Sequence, residues 1–417
     1  MPKRFTSYIL VGMVLGILVG WILNRTLTDP DTLARLGGYF SIVTDVFLRL
    51  IKMIIAPLVF STLVMGIAHL GDTAALGRVG LRTLAWFIMA SVISLLLGIV
   101  MVTLFQPGAS LELPLPAAGA AVDIKATGLT LKEFVTHLVP RSVAEAMANN
   151  EILQIVVFSI FFGVGLAAVG DKGRPLLNAI TGLAEVMLKV TGYVMLFAPF
   201  AVFAAIAATI TTRGLGVLVT YAKFIGSFYI GIGILWGILT LLGWLVLGGR
   251  VHQLIREVRE PILLAFSTAS SEAAYPRTLE ALERFGVSNR IASFVLPLGY
   301  SFNLDGSMMY CTFATLFIAQ AYGIDLTIGQ QLTMLLLLMV TSKGMAGVPR
   351  ASLVVIAATL SFFNIPEAGL LLILAVDHFL DMGRSATNVV GNSVATAVVA
   401  KWEGELKPPR TQESSPG

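Results

Sequence analysis

One cysteine, four histidines and few charges set the first limits on this chain of 417 residues. Cys311 stands alone, which excludes an internal disulfide framework and any metal site built from several cysteines. The histidines are scattered singly at 69, 137, 252 and 378, which argues against a His-built centre. Charged residues make up 12% of the chain and apolar residues 56%, with a mean hydropathy of +0.87. Soluble domains carry roughly 25% charged residues, so a water-facing globule of this size would lack half of its usual polar coat. The surface needs a lipid bilayer to cover it. A net charge of +4 is too small to point to nucleic acid, and in a membrane protein it reads as basic cytoplasmic loops.

What is present is a series of long apolar runs. They fall at Tyr8–Leu23 and at 39–68, 83–105, 152–169, 177–211, 215–248, 291–322 and 366–400. A bilayer core of about 30 Å needs about 20 helical residues, so each run is read as one crossing. The first has no small-residue cleavage site after it and is a membrane helix rather than a signal peptide. Two further stretches, 252–284 and 328–364, are broken at small, polar or proline-containing centres. Irregular backbone at membrane depth survives only under protein or beside water, so both are expected to be re-entrant hairpins. Their tips share a Pro-Arg ending, Pro276-Arg277 and Pro349-Arg350, and by parity they enter from opposite sides. That is the pattern of an inverted repeat around a midplane site. The expectation is an all-α membrane protein with eight transmembrane helices plus two re-entrant helical hairpins. Lys3, Arg4, Arg78, Arg82, Arg250, Arg256, Lys401 and their neighbours outnumber Arg25, Arg35, Arg213 and the few basic residues opposite. Both termini are therefore expected in the cytoplasm. The polar stretch 403–417 is expected to be a flexible tail.

The segment Ala375–Lys401 concentrates the chemistry. With Asp377 at zero and roughly 100° per residue, Asp381 falls near ~40°, Arg384 near ~−20°, Asn388 near ~20° and Asn392 near ~60°. Five polar groups thus occupy one narrow face of an otherwise apolar helix. An ionised group at the bilayer centre costs at least ~2.5 kcal/mol, so these need partners or a wet cavity. A lone Asp381–Arg384 pair pinning two helices would leave Asp377 and both asparagines unexplained. Arg384 offers a planar fork for a carboxylate, and Asp381 offers an anion for an ammonium group. A ligand with both is an acidic amino acid. Upstream, Ser301-Phe302-Asn303-Leu304-Asp305-Gly306-Ser307 is poor in helix formers and reads as an unwound turn. Its carbonyls and the Asp305 carboxylate would make a hard-oxygen cation site. Ser270, Ser271 and Glu272 at the first tip offer hydroxyl and N–H donors to an anion.

Taken together, these motifs resemble the glutamate transporter family, the dicarboxylate/amino acid:cation symporters, and in particular its bacterial proton/glutamate members. The likeness lies in Ser267-Thr268-Ala269-Ser270-Ser271-Glu272, in Asn303-Leu304-Asp305-Gly306-Ser307, in Gly344-Met345-Ala346-Gly347-Val348-Pro349, and in Asp377…Asp381-Met382-Gly383-Arg384…Asn388…Asn392. It implies a homotrimer in a bacterial inner (plasma) membrane. Residues 1–75 and 107–212, holding the first, second, fourth and fifth helices and an external loop, would form a scaffold. Residues 76–106 and 213–402 would form a transport domain that moves like an elevator. The resemblance assigns the substrate to Ser270, Ser271, Ser307, Val348, Asp381, Arg384, Ser385 and Asn388. Cation or proton coupling would fall to Glu272, Asn303, Asp305, Ser301, Ser342, Ser91, Asp377 and Asn392, with sodium, if used, at Asn303, Asp305 and Asn388. No cofactor is implied.

Within the family, neutral amino acid carriers lose the arginine at 384 and C4-dicarboxylate carriers lose the acid at 381. Both are present here, which favours L-glutamate or L-aspartate. Sodium-driven relatives carry oxygen-bearing or acidic groups where this chain has Phe87, Ala90, Met345 and Asn392. The joint loss argues for protons as the coupling ion, sodium being the alternative. Glu272 is the candidate proton carrier, since a carboxyl taken out of water favours its protonated form. Cys311 occupies the place of the proton-carrying glutamate of vertebrate relatives, and Ala269 and Met382 stand where many relatives have a second arginine. Two other classes were weighed. An intramembrane aspartyl protease built on Asp305 and Asp381 would want a Gly-x-Gly-Asp signature and leaves Arg384 without a role. An anion channel would want a continuous polar pore, whereas the polar residues here cluster at one depth.

Overall fold

A computed structural model describes residues 5–68, 73–109, 139–215, 221–341, 351–374 and 376–408. Every regular element among them is helical, and the sole strand-like pairing is an isolated antiparallel bridge between Val287 and Leu406. The helices are α1 (Phe5–Thr26), α2 (Pro30–Ala68), α3 (Thr73–Phe105), a short α4 (Val143–Ala148), α5 (Ile152–Val169), α6 (Arg174–Met195), α7 (Ala198–Arg213) and α8 (Ala222–Leu247). They continue with α9 (Arg250–Thr268), α10 (Tyr275–Phe285), α11 (Asn289–Phe302), α12 (Asp305–Ala321), α13 (Ile328–Thr341), α14 (Ala351–Phe362), α15 (Leu370–Leu374) and α16 (Asp377–Trp402).

Local chemistry sets many of the ends. Pro30 opens α2, where its missing N–H is not needed. Asp29 accepts the Thr32 backbone N–H at 3.0 Å and also the Thr32 hydroxyl, and these bonds hold the Asp29 carboxyl below its usual range. Pro199 lies in the first turn of α7. It splits the single crossing expected over 177–211 into α6 and α7, which meet at Leu196-Phe197. The second and third runs extend as helices beyond their expected starts at 39 and 83. The seventh run divides at Asn303-Leu304, and the stretch 252–284 is α9, a tip with a 3-10 turn at Glu272–Ala274, and α10.

Five continuous helical stretches of the described residues are long and apolar enough to cross a membrane: Ser7–Thr26, Pro30–Met65, Gly77–Phe105, Gln154–Met195 and Ala222–Leu247. Their outward faces carry exposed Leu10, Val14, Leu18, Ile42, Leu104, Phe161, Ile234 and Leu245, as lipid-facing helices should. α12 and α16 are the reverse: nearly every residue of Asp305–Ala319 and Leu380–Ala400 is buried. Packing follows two groupings. α1 lies on α7, and α2 on α5, α6 and α7, while α3 lies on α12, and α8, α9, α11 and α12 lie on α16. α2 touches both groups through α11.

The first arm of the α9–α10 pair is tied to the second by Arg284–Glu257 at 3.2 Å and by Arg277, which contacts Glu260 at 3.8 Å and Glu280 within its own helix. The stretch expected to be a free tail departs from that expectation at its start. Residues 403–408 turn back and bond to 286–288, because Gly404 at φ 72° reverses the chain at the end of α16.

Candidate functional site

The break at Asn303-Leu304 is where the buried polar groups converge. α12 begins at Asp305, so its first N–H groups have no helical partner. Asn388 on α16 fills that need: its Oδ1 accepts Gly306 N–H at 2.9 Å and Ser307 N–H at 3.4 Å, and its Nδ2 donates to Ser307 Oγ at 3.2 Å. One helical turn further along α16, Asn392 Oδ1 accepts from Asn303 Nδ2 at 3.2 Å. The same Asn303 nitrogen donates to Asp305 Oδ2 at 3.0 Å. Asn303 and Asp305 are fully buried. The carboxylate fits because residue 391 has no side chain: a Cβ there would sit 1.8 Å from Asp305 Oδ2.

Ser94 of α3 completes this cluster, its Oγ reaching Asp305 Oδ1 at 3.2 Å. Sequence reading had chosen Ser91, which is buried on the same helix. The signal for Ser94 was present, since Ser91 and Ser94 are three residues apart and share a helix face. Two buried atoms of the cluster, Asn303 Oδ1 and Asn392 Nδ2, have no hydrogen-bond partner among the described residues, and neither has Ser301 Oγ, two residues before Asn303. Asn303 Oδ1 is an oxygen on the residue that bonds the buried Asp305 carboxylate, the donor type and charge that a small hard cation takes. No group of three His, Cys, Asp or Glu side chains among the described residues could hold a metal ion.

The second cluster surrounds Arg384, which is 2% exposed. Its Nη2 lies 2.9 Å from Asp381 Oδ1 and 3.2 Å from Asp377 Oδ1. The guanidinium carbon stands 4.1 Å over the ring of Tyr310, whose hydroxyl donates to Asp377 Oδ1 at 3.0 Å. Tyr310 was not foreseen. It lies on α12, and no periodicity within one helix announces a stacking partner on another. Asp377 is thereby engaged twice within the protein, whereas Asp381 keeps a third of its side chain exposed. Among the described residues, Arg384 Nε and Nη1 have no hydrogen-bond partner. A buried cation with spare N–H donors, one turn from a partly exposed carboxylate, has the chemistry to meet an anionic group and a cationic group side by side.

Ser385 and Ser307 are buried beside these groups on α16 and α12. At the first tip the Ser270 Oγ accepts the Ala273 N–H at 3.2 Å, so it caps the tip and keeps its own hydroxyl hydrogen for a ligand. Ser271 and Glu272 follow it. Glu272 lines a narrow gap, too tight to hold a water molecule, with Ile55 and Val59 of α2, Tyr275, Pro297 and Tyr300. Ser342 and Val348, with the rest of the second tip, lie outside the described residues.

Fold and site together define a multi-pass helical membrane protein with a charged centre buried among its helices. The chain belongs to the sodium:dicarboxylate symporter family, whose model matches residues 5–402. It is 43% identical over 408 residues to a proton/glutamate-aspartate symporter of Escherichia coli (strain K12), covering 95% of this chain and 92% of the relative. To a proton/sodium-glutamate symport protein of Bacillus caldotenax it is 41% identical over 407 residues, covering 95% and 94%. To a C4-dicarboxylate transport protein of Bacillus subtilis (strain 168) it is 37% identical over 419 residues, covering 100% and 97%. The protein is a transporter and not an enzyme, which removes the aspartyl protease reading.

Proposed function

We propose that this protein carries an acidic amino acid, L-glutamate or L-aspartate, into the cell with protons as the driving ion. The observation that carries the substrate assignment is the pairing of buried Arg384 with Asp381 at 2.9 Å. A C4-dicarboxylate would satisfy the guanidinium but leave Asp381 facing a second anion, whereas an α-ammonium group answers it. The names of the relatives span both substrate classes, and the residue pair is what supports the amino acid over the dicarboxylate in this reading. Ser270, Ser271, Ser307, Ser385 and Asn388, with the Val348 backbone, line the rest of the site in this reading. Both termini are cytoplasmic, eight helices cross the inner membrane, and α9–α10 and α13–α14 are hairpins that enter without crossing. The protein works as a homotrimer, with α1, α2 and α5–α7 as scaffold and the other long helices moving against it as an elevator. The two packing groups support that division.

Proton coupling rests on Glu272, a carboxyl in the narrow cleft between the first tip and α2. One observation favours sodium instead: Asn303 Oδ1, on the residue bonded to Asp305, has no partner among the described residues. The deciding experiment is uptake of labelled L-glutamate, L-aspartate and succinate into proteoliposomes, with pH and sodium gradients imposed separately. Accumulation of amino acid on the pH gradient alone is expected, and Glu272→Gln is expected to abolish that drive. A strict sodium requirement would transfer the coupling to the Asp305 cluster. Preferred uptake of succinate would overturn the role given to Asp381.

A further inference from the structure

The segment after α16 gathers more elements than its length suggests. Glu403, the C-cap of α16, has a side chain only 2% exposed, and its carboxylate takes Arg78 Nε at 3.1 Å and Arg82 Nη1 at 2.9 Å from the start of α3. Arg82 also donates to the Trp402 carbonyl, and Trp402 packs edge-on to Trp86 with ring centroids 5.8 Å apart. Arg78, Arg82 and Trp86 recur every four residues, so one face of α3 grips the end of α16. Beyond Gly404, Ser288 N–H donates to the Glu405 carbonyl at 3.3 Å and Lys407 N–H donates to the Gly286 carbonyl at 2.9 Å. Glu405 also reaches Arg290 at 3.6 Å. Arg250, the first residue of α9, donates to the Phe285 carbonyl at 3.0 Å and the Lys407 carbonyl at 2.8 Å. Gly286 sits at φ 110°, and a Cβ there would lie 2.3 Å from the Lys407 carbonyl.

We infer that residues 403–407 form a permanent staple that binds the neighbouring ends of α3, α9, α10, α11 and α16 into one body, and that the staple stays closed while substrate is carried. Its two attachments differ in kind. On α3 it is held by charge, around a buried carboxylate; at the α10–α11 turn it is held by main-chain bonds that a side chain at 286 would block. The tip bearing Ser270–Glu272 sits at the far end of α9, so a loose base would let that tip drift relative to Arg384 on α16.

The pattern around Val287 and Leu406 supplies a direct test. The bonds run from the flanking residues, so the two form a non-hydrogen-bonded antiparallel pair, with Cα atoms about 4.5 Å apart. That separation suits a disulfide. Cys311, the native cysteine, is buried and will not compete. Val287→Cys with Leu406→Cys, oxidised in proteoliposomes, is expected to keep uptake within about twofold of the reduced protein. Uptake that stops on oxidation and returns with reductant would overturn the inference, because the segment would then be a latch that must open. A chain stopped after Trp402 is expected to show about tenfold faster amide exchange at Ser288 and in the peptide containing Arg82, as main-chain and ion-pair protection is lost. A chain stopped after Pro408 is expected to match the full chain. Gly286→Ala is expected to speed exchange at Ser288 and leave the α3 peptide protected, since only one attachment is lost. Unchanged exchange at Ser288 in the chain stopped after Trp402 would overturn the staple itself.

The transport arm rests on the reading of these helices as one moving body, and the exchange arm does not. Faster exchange with normal uptake in the chain stopped after Trp402 would remove the staple's role in transport and leave the substrate and coupling assignments untouched.

Discussion

The α1–α7 contact and the α12–α16 contact are both tight, buried helix pairs, and they are built on opposite principles. α1 presents Gly12, Gly16 and Gly20 at four-residue spacing to α7. A Cβ at these positions would meet the Pro199 carbonyl at 2.6 Å, the Phe203 carbonyl at 2.7 Å and Ile210 Cβ at 2.8 Å. Along these glycines shape and dispersion do the holding, as in small-residue packing between membrane helices, and one side-chain bond, Asn24 Nδ2 to the Thr211 carbonyl at 2.9 Å, closes the end of the pair. α12 and α16 instead meet through Asn388, Asn392, Asp305 and the Arg384–Tyr310 stack. The first contact leaves a single hydroxyl, Thr211 Oγ1, buried without a hydrogen-bond partner among the described residues, at the end of α7 beyond the glycines. The second keeps buried atoms without partners, on Arg384, Asn303 and Asn392. An interface made mainly by shape needs little from hydrogen bonds, whereas one made by them can be left open for a ligand to finish.

Substitutions can sharpen that contrast. Arg384→Ala should have the largest effect. It leaves Asp377 and Asp381 facing each other without their cation, a loss of about 3 kcal/mol, and uptake of acidic amino acids should fall by about a hundredfold. Radiolabel uptake measures it, and retention of a tenth of the activity would mean that the carboxylate is bound elsewhere. Gly391→Ala should come next, because the new methyl takes the space of Asp305 Oδ2. Overpacking of about 1–3 kcal/mol falls on the cation cluster, so the ion dependence of uptake should weaken while binding of substrate to Arg384 persists. Asn392→Asp should act in the other direction, adding a carboxylate beside Asn303 and making uptake several-fold more sensitive to sodium. Gly16→Ala should have the smallest functional effect: a lower melting temperature by a few degrees, with unchanged substrate preference and ion dependence. A change in ion dependence with Gly16→Ala would break the comparison, since it would show that the α1–α7 contact also reports on the cation cluster.

Much of the charged centre was legible from the last helix alone. The 3.6-residue period places Asp377, Asp381, Arg384, Asn388 and Asn392 on one face without knowledge of any neighbour. The run Asn303-Leu304-Asp305-Gly306 announces a break through its poor helix formers, and the helix does part at Asn303-Leu304. What periodicity cannot supply is the partner across a helix gap. Ser94 reaches a carboxylate 211 positions away, and Tyr310 engages Asp377 across 67. The division of the fifth run was written in Pro199 but was masked by the apolar residues around it. The staple was the clearest miss, because Glu403-Gly404-Glu405-Leu406-Lys407 has the composition of a solvated tail. Its order comes from Arg78, Arg82, Arg250 and Arg290, which are far off in sequence.

The centre between α12 and α16 also has an electrical consequence. Among the described residues, Asp305, Asp377 and Asp381 gather around one guanidinium, so this centre is rich in acids. A centre with a net charge, shifted through the whole of a 100 mV field, exchanges about 2.3 kcal/mol of work per unit charge. In the moving-body reading proposed above, an inside-negative voltage would push a net negative empty centre outward, towards the face where substrate waits. A bound acidic amino acid would add one more negative charge, and only accompanying cations could release the loaded centre from that outward force. On that proposed mechanism voltage would act first on the empty return step, visible as a transient displacement current in the absence of any substrate.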